Sequence, residues 1–120
     1  MPEEQAFCVL IKLMYQYRLR YLYKDGFDCL HMKLYQLSRL VEEQLPQLST
    51  HLTKNKVEFH MFASQWFLTV FTARFPLFLV FHILDVFLLQ GEEALFQVAL
   101  ALLTVGCKNQ LLLCVRVNII

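Results

Sequence analysis

The spacing of apolar residues along the chain predicts helices almost throughout. Phe7, Leu10, Ile11 and Met14 fall at three-and-four spacing, which puts them on one face of a first helix. That helix opens at Pro2, whose fixed φ suits a first turn, and Glu3 and Glu4 face the positive end of the helix dipole. It is expected to end near Tyr17. Asp25-Gly26 is a turn signal, after which Asp28 can cap a second helix with the stripe Leu30, Leu34, Leu37 and Val41. Pro46 stops that helix. A short helical or turn segment follows from Gln47 to Leu52, then a polar loop from Thr53 to Glu58.

Three more apolar segments complete the pattern. A helix is expected around Phe62 to Ala73, with Phe62, Trp66 and Val70 on one face and Phe59 one turn earlier, so that Trp66 packs as core against the next helix. Phe75-Pro76 redirects the chain into that next helix, which runs to Leu89 or Gln90 and ends at Gly91. Glu92 and Glu93 then place acids ahead of a last amphipathic piece, Ala94 to Leu103. After Leu103 the chain becomes rich in β-branched residues and has no stop signal or polar end. Such an apolar terminus points to truncation or an altered reading frame. The expected organisation is therefore a helical unit over residues 1–104 and a divergent apolar tail over 105–120, with no linker, repeat or low-complexity segment.

Composition sharpens the picture at two points. With 58% hydrophobic residues and eleven Phe in 120 residues, the chain holds more apolar surface than so small a core usually buries, so some is expected to stay uncovered. The run from Phe75 to Leu89 then raises the question of a membrane span. It falls short of the roughly 20 residues a crossing needs, and a carboxylate such as Asp85 at the centre of a span costs on the order of 2.5 kcal/mol or more. A buried helix with no transmembrane segment is expected instead, with Asp85 buried and accepting hydrogen bonds. The net charge of +1 and scattered Lys and Arg give no field that would steer nucleic acid.

Candidate chemistry is sparse. Cys8, Cys29, Cys107 and Cys114 form no CxxC pair and have no histidine at zinc-finger spacing, which favours buried cytosolic thiols. The three glycines, Gly26, Gly91 and Gly106, build neither a P-loop nor a dinucleotide fingerprint. His31, His51, His60 and His82 fall in no local metal motif. His82 and Asp85 can share a helix face, most simply as a structural pair, while Glu42-Glu43 and Glu92-Glu93 read as a solvated face and a helix start. No catalytic, cofactor-binding or metal residue is assigned, and no cofactor is expected.

One stretch is more specific. Phe62, Ala63, Ser64, Trp66, Phe67, Leu68, Thr69, Phe71, Phe75, Pro76 and Leu77 form a motif that resembles the TBC domain, the GTPase-activating domain that acts on Rab proteins. Pro2 to Met14 resembles the segment that follows that family's glutamine motif. Arg18-Leu19-Arg20-Tyr21-Leu22-Tyr23 is similar to its Gly-Leu-Arg-x-x-Tyr/Phe, with Arg18 where glycine is common. Tyr35 to Leu40, Glu43 to Pro46, and His82-Ile83-Leu84-Asp85 with Gln90-Gly91 also look like the family, His82 replacing an arginine. The group most similar is the Rab GTPase-activating protein 1 and 1-like group.

The resemblance implies an all-α helical array, a partial TBC domain, whose family role is to accelerate GTP hydrolysis on a Rab-type small GTPase in vesicle traffic. It places Trp66, Phe67, Phe75, Pro76, Asp85 and Gly91 at family-motif positions read as structural. It also implies that the family's catalytic arginine and glutamine lie upstream of the matched segment, so this piece is expected to be inactive and cytoplasmic, reaching endomembranes through a Rab. Two other readings stay open: a non-catalytic module that binds a Rab or a partner helix, and a small membrane-associated helical protein suggested by apolar density alone.

Overall fold

Pro2 opens the first helix as its sequence requires: in the computed structural model, which describes residues 1–108, its carbonyl accepts the Ala6 N–H at 3.0 Å. Helix α1 (Glu3–Tyr15) follows, and Arg18 then takes a left-handed backbone, φ 60° and ψ 20°, that turns the chain into a 3-10 turn at Leu19–Leu22. Gly26 and Phe27 repeat the device at φ 66° and φ 65° and launch α2 (Asp28–Gln44). Asp28 is the first helical residue rather than the cap, which is Phe27 without a side-chain bond, so its carboxylate acts on the helix dipole alone.

Helix α2 is the hub. Its expected stripe, Leu30, Leu34, Leu37 and Val41, is buried throughout and meets α3, α4 and α6. Each such side chain contributes roughly 1.5 to 3 kcal/mol of transfer free energy. Pro46 both forces Leu45 out of the helical region, at φ −132°, and serves as the first residue of α3 (Pro46–Lys54), which buries Leu48 and Leu52.

After a 3-10 turn at Phe59–Met61, α4 spans only Ala63–Leu68, well short of Ala73. The chain leaves the helix because Val70 and Phe71 adopt φ 50° and φ 63°. Helix α5 (Leu77–Gln90) and helix α6 (Glu93–Lys108) then pack on each other, α6 running beyond the expected Leu103. Gly91 joins them at φ 76° and ψ −145°, a conformation open essentially to glycine alone. Residues 109–120 of the expected apolar tail lie outside the described residues.

Among the described residues there is no strand, and no helix is long and apolar enough to cross a membrane. The array is all-α, as expected. Burial of α5 is one-sided: Val80, Ile83 and Phe87 face inward, whereas Leu77, Phe78, Phe81, Leu88 and Leu89 are exposed. Helix α1 goes further and buries no residue at all.

Candidate functional site

Trp66 stands at the centre of a cluster of rings. Its indole, 3% exposed, meets Phe62 edge-on at 5.3 Å between centroids, Phe71 at 5.6 Å and Phe75 at 5.7 Å. Phe71 and Phe75 close a triangle with it at 5.9 Å, and Phe59 extends the cluster through Phe62. The tryptophan therefore packs on Phe75, at the lead-in to α5. Phe67 is fully buried on the other side, edge-on to Phe96 of α6 at 5.5 Å. Pairs of this kind add about 0.5 to 1.5 kcal/mol beyond area burial.

The end of α4 is closed by a 2.8 Å bond from the Phe71 N–H to the Trp66 carbonyl, with Val70 in the left-handed position that usually belongs to glycine. Side chains hold the loop beyond it in place. Thr69 Oγ1 donates to the Gln65 carbonyl at 2.7 Å and accepts from the Ala73 N–H at 3.4 Å, while Thr72 Oγ1 donates to the Thr69 carbonyl at 2.7 Å. Arg74 Nε donates to Gln65 Oε1 at 2.7 Å. Pro76 sits exposed at the head of α5, its carbonyl accepting from Leu79 and Val80 at 3.0 Å each.

Asp85 is not where the sequence was expected to put it. It is exposed, and no hydrogen bond to it is formed among the described residues. Ile83 and Phe87 face the core, and a residue two positions from either lies about 200° around the helix, so Asp85 points to solvent. His82 is exposed as well, and the two side chains make no bond. The apolar run concealed which face turned inward.

Two tyrosines and a lysine, none singled out from the sequence, tie the elements together. Tyr17 stacks near Phe87 at 5.4 Å and donates its hydroxyl to the Leu88 carbonyl at 2.9 Å, linking the end of α1 to α5. Tyr23 donates to the Leu68 carbonyl at the end of α4, and burial around its phenol raises its pKa. Lys33, buried within the α2 stripe, reaches Glu92 at 3.0 Å and lies 5.5 Å from the Phe96 ring centroid. Glu92 is thus an ion-pair partner ahead of α6 and not only a helix start. The signal was present, since Lys33 interrupts the apolar stripe between Leu30 and Leu37.

The thiols also depart from expectation. Cys8 is exposed and Cys29 half-buried, both free. The Cys107 side chain and Cys114 lie outside what the structure describes. Among the described residues, no cluster of His, Cys, Asp and Glu could hold a metal ion. What the geometry builds is a rigid aromatic scaffold that displays polar side chains on its rim.

The scaffold is all-helical among the described residues and organised around one aromatic helix end. A family model described as RabGAP TBC domain matches residues 1–118, and the chain belongs to that family. It is 57% identical over 103 residues to the Rab GTPase-activating protein tbc-11 of Caenorhabditis elegans, covering 86% of this chain and 11% of that protein. It is 45% identical over 112 residues to the ecotropic viral integration site 5 ortholog of Drosophila melanogaster, covering 93% of this chain and 14% of the relative. With mouse TBC1 domain family member 4 the identity is 42% over 104 residues, 87% of this chain and 8% of the relative. The chain thus spans between 8% and 14% of the length of these relatives.

Proposed function

We propose that this chain is part of a Rab GTPase activator, the C-terminal portion of its TBC domain, and that its partner is a Rab-type small GTPase. The match to the RabGAP TBC domain over residues 1–118 carries this reading. Within that portion we keep the division into helical residues 1–104 and a divergent apolar tail over 105–120, with α6 carrying its helix past that boundary to Lys108. The motifs at Pro2–Met14 and Phe62–Leu77 further support a place in the Rab GTPase-activating protein 1 and 1-like group, although the relatives above carry other names. Localisation follows the partner: cytoplasmic, and peripheral on endomembranes through the Rab.

Acceleration of GTP hydrolysis by this family requires an arginine that neutralises charge developing on the transferred phosphoryl group and a glutamine that positions the attacking water. No arginine of this chain stands in an I-x-x-D-x-x-R pattern and no Y-x-Q-G occurs in it, so neither role falls on its residues. By itself the chain binds without activating. Its motif residues serve the scaffold: Trp66, Phe67 and Phe75 as core, Pro76 and Gly91 as the ends of α5, and Asp85 as a solvated position on the outer face of that helix.

The test is GTP hydrolysis by a panel of Rab proteins. The purified chain should leave every Rab at its intrinsic rate, because loss of the arginine alone removes a factor on the order of 10³ to 10⁵. A fusion that supplies the family's arginine and glutamine segment upstream should accelerate at least one. Stimulation by the chain alone, abolished by replacing Arg18, Arg20 or Arg74, would overturn the assignment.

A further inference from the structure

Nothing in the local sequence ends helix α4 where it ends. Between Leu68 and Phe75 the chain has no glycine and no proline, yet Val70 and Phe71 take left-handed backbones at φ 50° and φ 63°. A helix stop of this shape normally falls on glycine, and an L side chain held there disfavours the conformation by roughly tenfold. Strain of this kind persists only where the surroundings over-determine it. Here Val70 and Phe71 are buried, and the Phe71 ring lies 5.6 Å from Trp66 and 5.9 Å from Phe75.

The hydrogen bonds of the bend stand in for helical ones. If α4 ran on, the N–H groups of Phe71, Thr72 and Ala73 would donate to the carbonyls of Phe67, Leu68 and Thr69. Instead Phe71 donates to the Trp66 carbonyl at 2.8 Å, Thr72 to the Thr69 carbonyl at 3.1 Å and Ala73 to Thr69 Oγ1 at 3.4 Å. The Leu68 carbonyl, the acceptor a continuing helix would give to Thr72, takes the Tyr23 hydroxyl. Tyr23 follows the turn after α1, so another element holds the helix end. A second tie, from Arg74 Nε to Gln65 Oε1 at 2.7 Å, closes the bend from outside. Nine residues of continuous helix span about 13 Å and end on opposite faces, so that contact belongs to the bent form alone. The buried faces, by contrast, survive straightening: Val70 stands four residues after Trp66 and Phe71 four after Phe67, and both partners are buried.

We propose that residues 69–75 are a two-state element: the bent form, latched by Tyr23 on the Leu68 carbonyl, and a straight form in which α4 continues through Ala73 and draws Phe75 away from Trp66. Backbone preference favours the straight form, while the ring contacts and the two ties favour the bent one. In this balance the straight form is the minor one, on the order of 0.1–10% of molecules. Because Phe75-Pro76 leads directly into α5, the head of that helix moves with the bend. Displacing the Tyr23 hydroxyl therefore acts on α5 from the junction of α1 and α2, through a bond between residues 45 apart in the chain.

The test is NMR relaxation dispersion and saturation transfer on the full chain, which read a minor state on the μs–ms scale together with its Cα shifts. Phe71, Thr72 and Ala73 should exchange with a minor form whose shifts are helical. Tyr23→Phe should raise its population by about two- to tenfold, the effect of one hydrogen bond. Gln65→Ala, at an exposed position that leaves the core intact, should raise it as well. Val70→Gly should lower it by about tenfold or more, because glycine suits the left-handed position and disfavours the helix. A minor form with random-coil shifts would reduce the bend to simple fraying and overturn the proposal. So would the absence of exchange in both Tyr23→Phe and Gln65→Ala, or a minor population that rises in Val70→Gly.

Discussion

Helices α1 and α2 carry the same apolar periodicity and meet opposite fates. Leu30, Leu34, Leu37 and Val41 of α2 are buried, Leu37 and Val41 completely, whereas Phe7, Leu10 and Ile11 of α1 remain 63%, 50% and 43% exposed. Periodicity identifies the face that wants a partner, and it is silent on whether that partner belongs to the same stretch of chain. For α2 the partners follow within the described residues. For α1 they do not, apart from Leu13 and Met14 in its last turn and Tyr17 just beyond it, which lie against the core. The apolar excess read from composition is therefore concentrated on α1 and on the outer face of α5.

The contrast is broken most severely at the aromatic helix end, because α4 packs against α2. Trp66→Ala should cost about 3 to 5 kcal/mol, enough to unfold a marginal domain. The measurement is a urea unfolding midpoint followed by circular dichroism. A stable variant with impaired Rab binding would show that Trp66 serves the partner and not the core.

A matched pair tests the two helices directly. Leu37→Ala in α2 should cost about 2 to 5 kcal/mol, because a fully buried side chain leaves a cavity. Leu10→Ala in α1, at 50% exposure, should stay within about 0.5 kcal/mol of wild type in the same chain. Equal losses at the two positions would mean that α1 is covered in solution.

The junction between the helices gives a smaller and opposite effect. Arg18 occupies a left-handed position at φ 60°, the position at which the resemblance drawn from the sequence has glycine. The physical reason is now visible, since an L side chain there costs roughly 1 to 2 kcal/mol and glycine nearly none. Arg18→Gly should therefore raise stability by up to about 1 kcal/mol, the gain being reduced by the greater freedom of glycine when unfolded. A loss of stability would show that the Arg18 side chain makes a contact that outweighs the strain.

Local chemistry and long-range packing divide what was legible in the chain from what was hidden. The α2 stripe, the Pro2 start, the Pro46 break and the Gly91 stop were legible because each rests on local chemistry. The early end of α4 was not, since Val70 and Phe71 take a backbone against their own preference under the pull of packing that spans the chain. Asp85 was misplaced because an almost uninterrupted apolar run hides which side faces inward. Lys33 was legible in principle as a cation inside an apolar stripe, but its partner Glu92 lies 59 residues away.

The finest probe of the junction is the pH dependence of Tyr23, which joins the turn after α1 to the end of α4 through its bond to the Leu68 carbonyl. Burial disfavours the phenolate and raises the pKa above its ordinary value of 10.0. Between the ordinary and the raised value the unfolded chain holds fewer protons at this site than the folded one, so stability must fall as pH rises. The contribution is fully present below pH 10.0 and lost as pH climbs through the folded value. Wild type and Tyr23→Phe, unfolded in urea at about pH 8 and about pH 11, should thus differ in slope, the wild type losing more over the interval. At the lower pH the variant should be weaker by about 0.5 to 1.5 kcal/mol for the missing hydrogen bond, and the gap should narrow at the higher one. The other four tyrosines titrate in both proteins and cancel in the comparison. Parallel slopes would mean that the Tyr23 hydroxyl is free of the helix end.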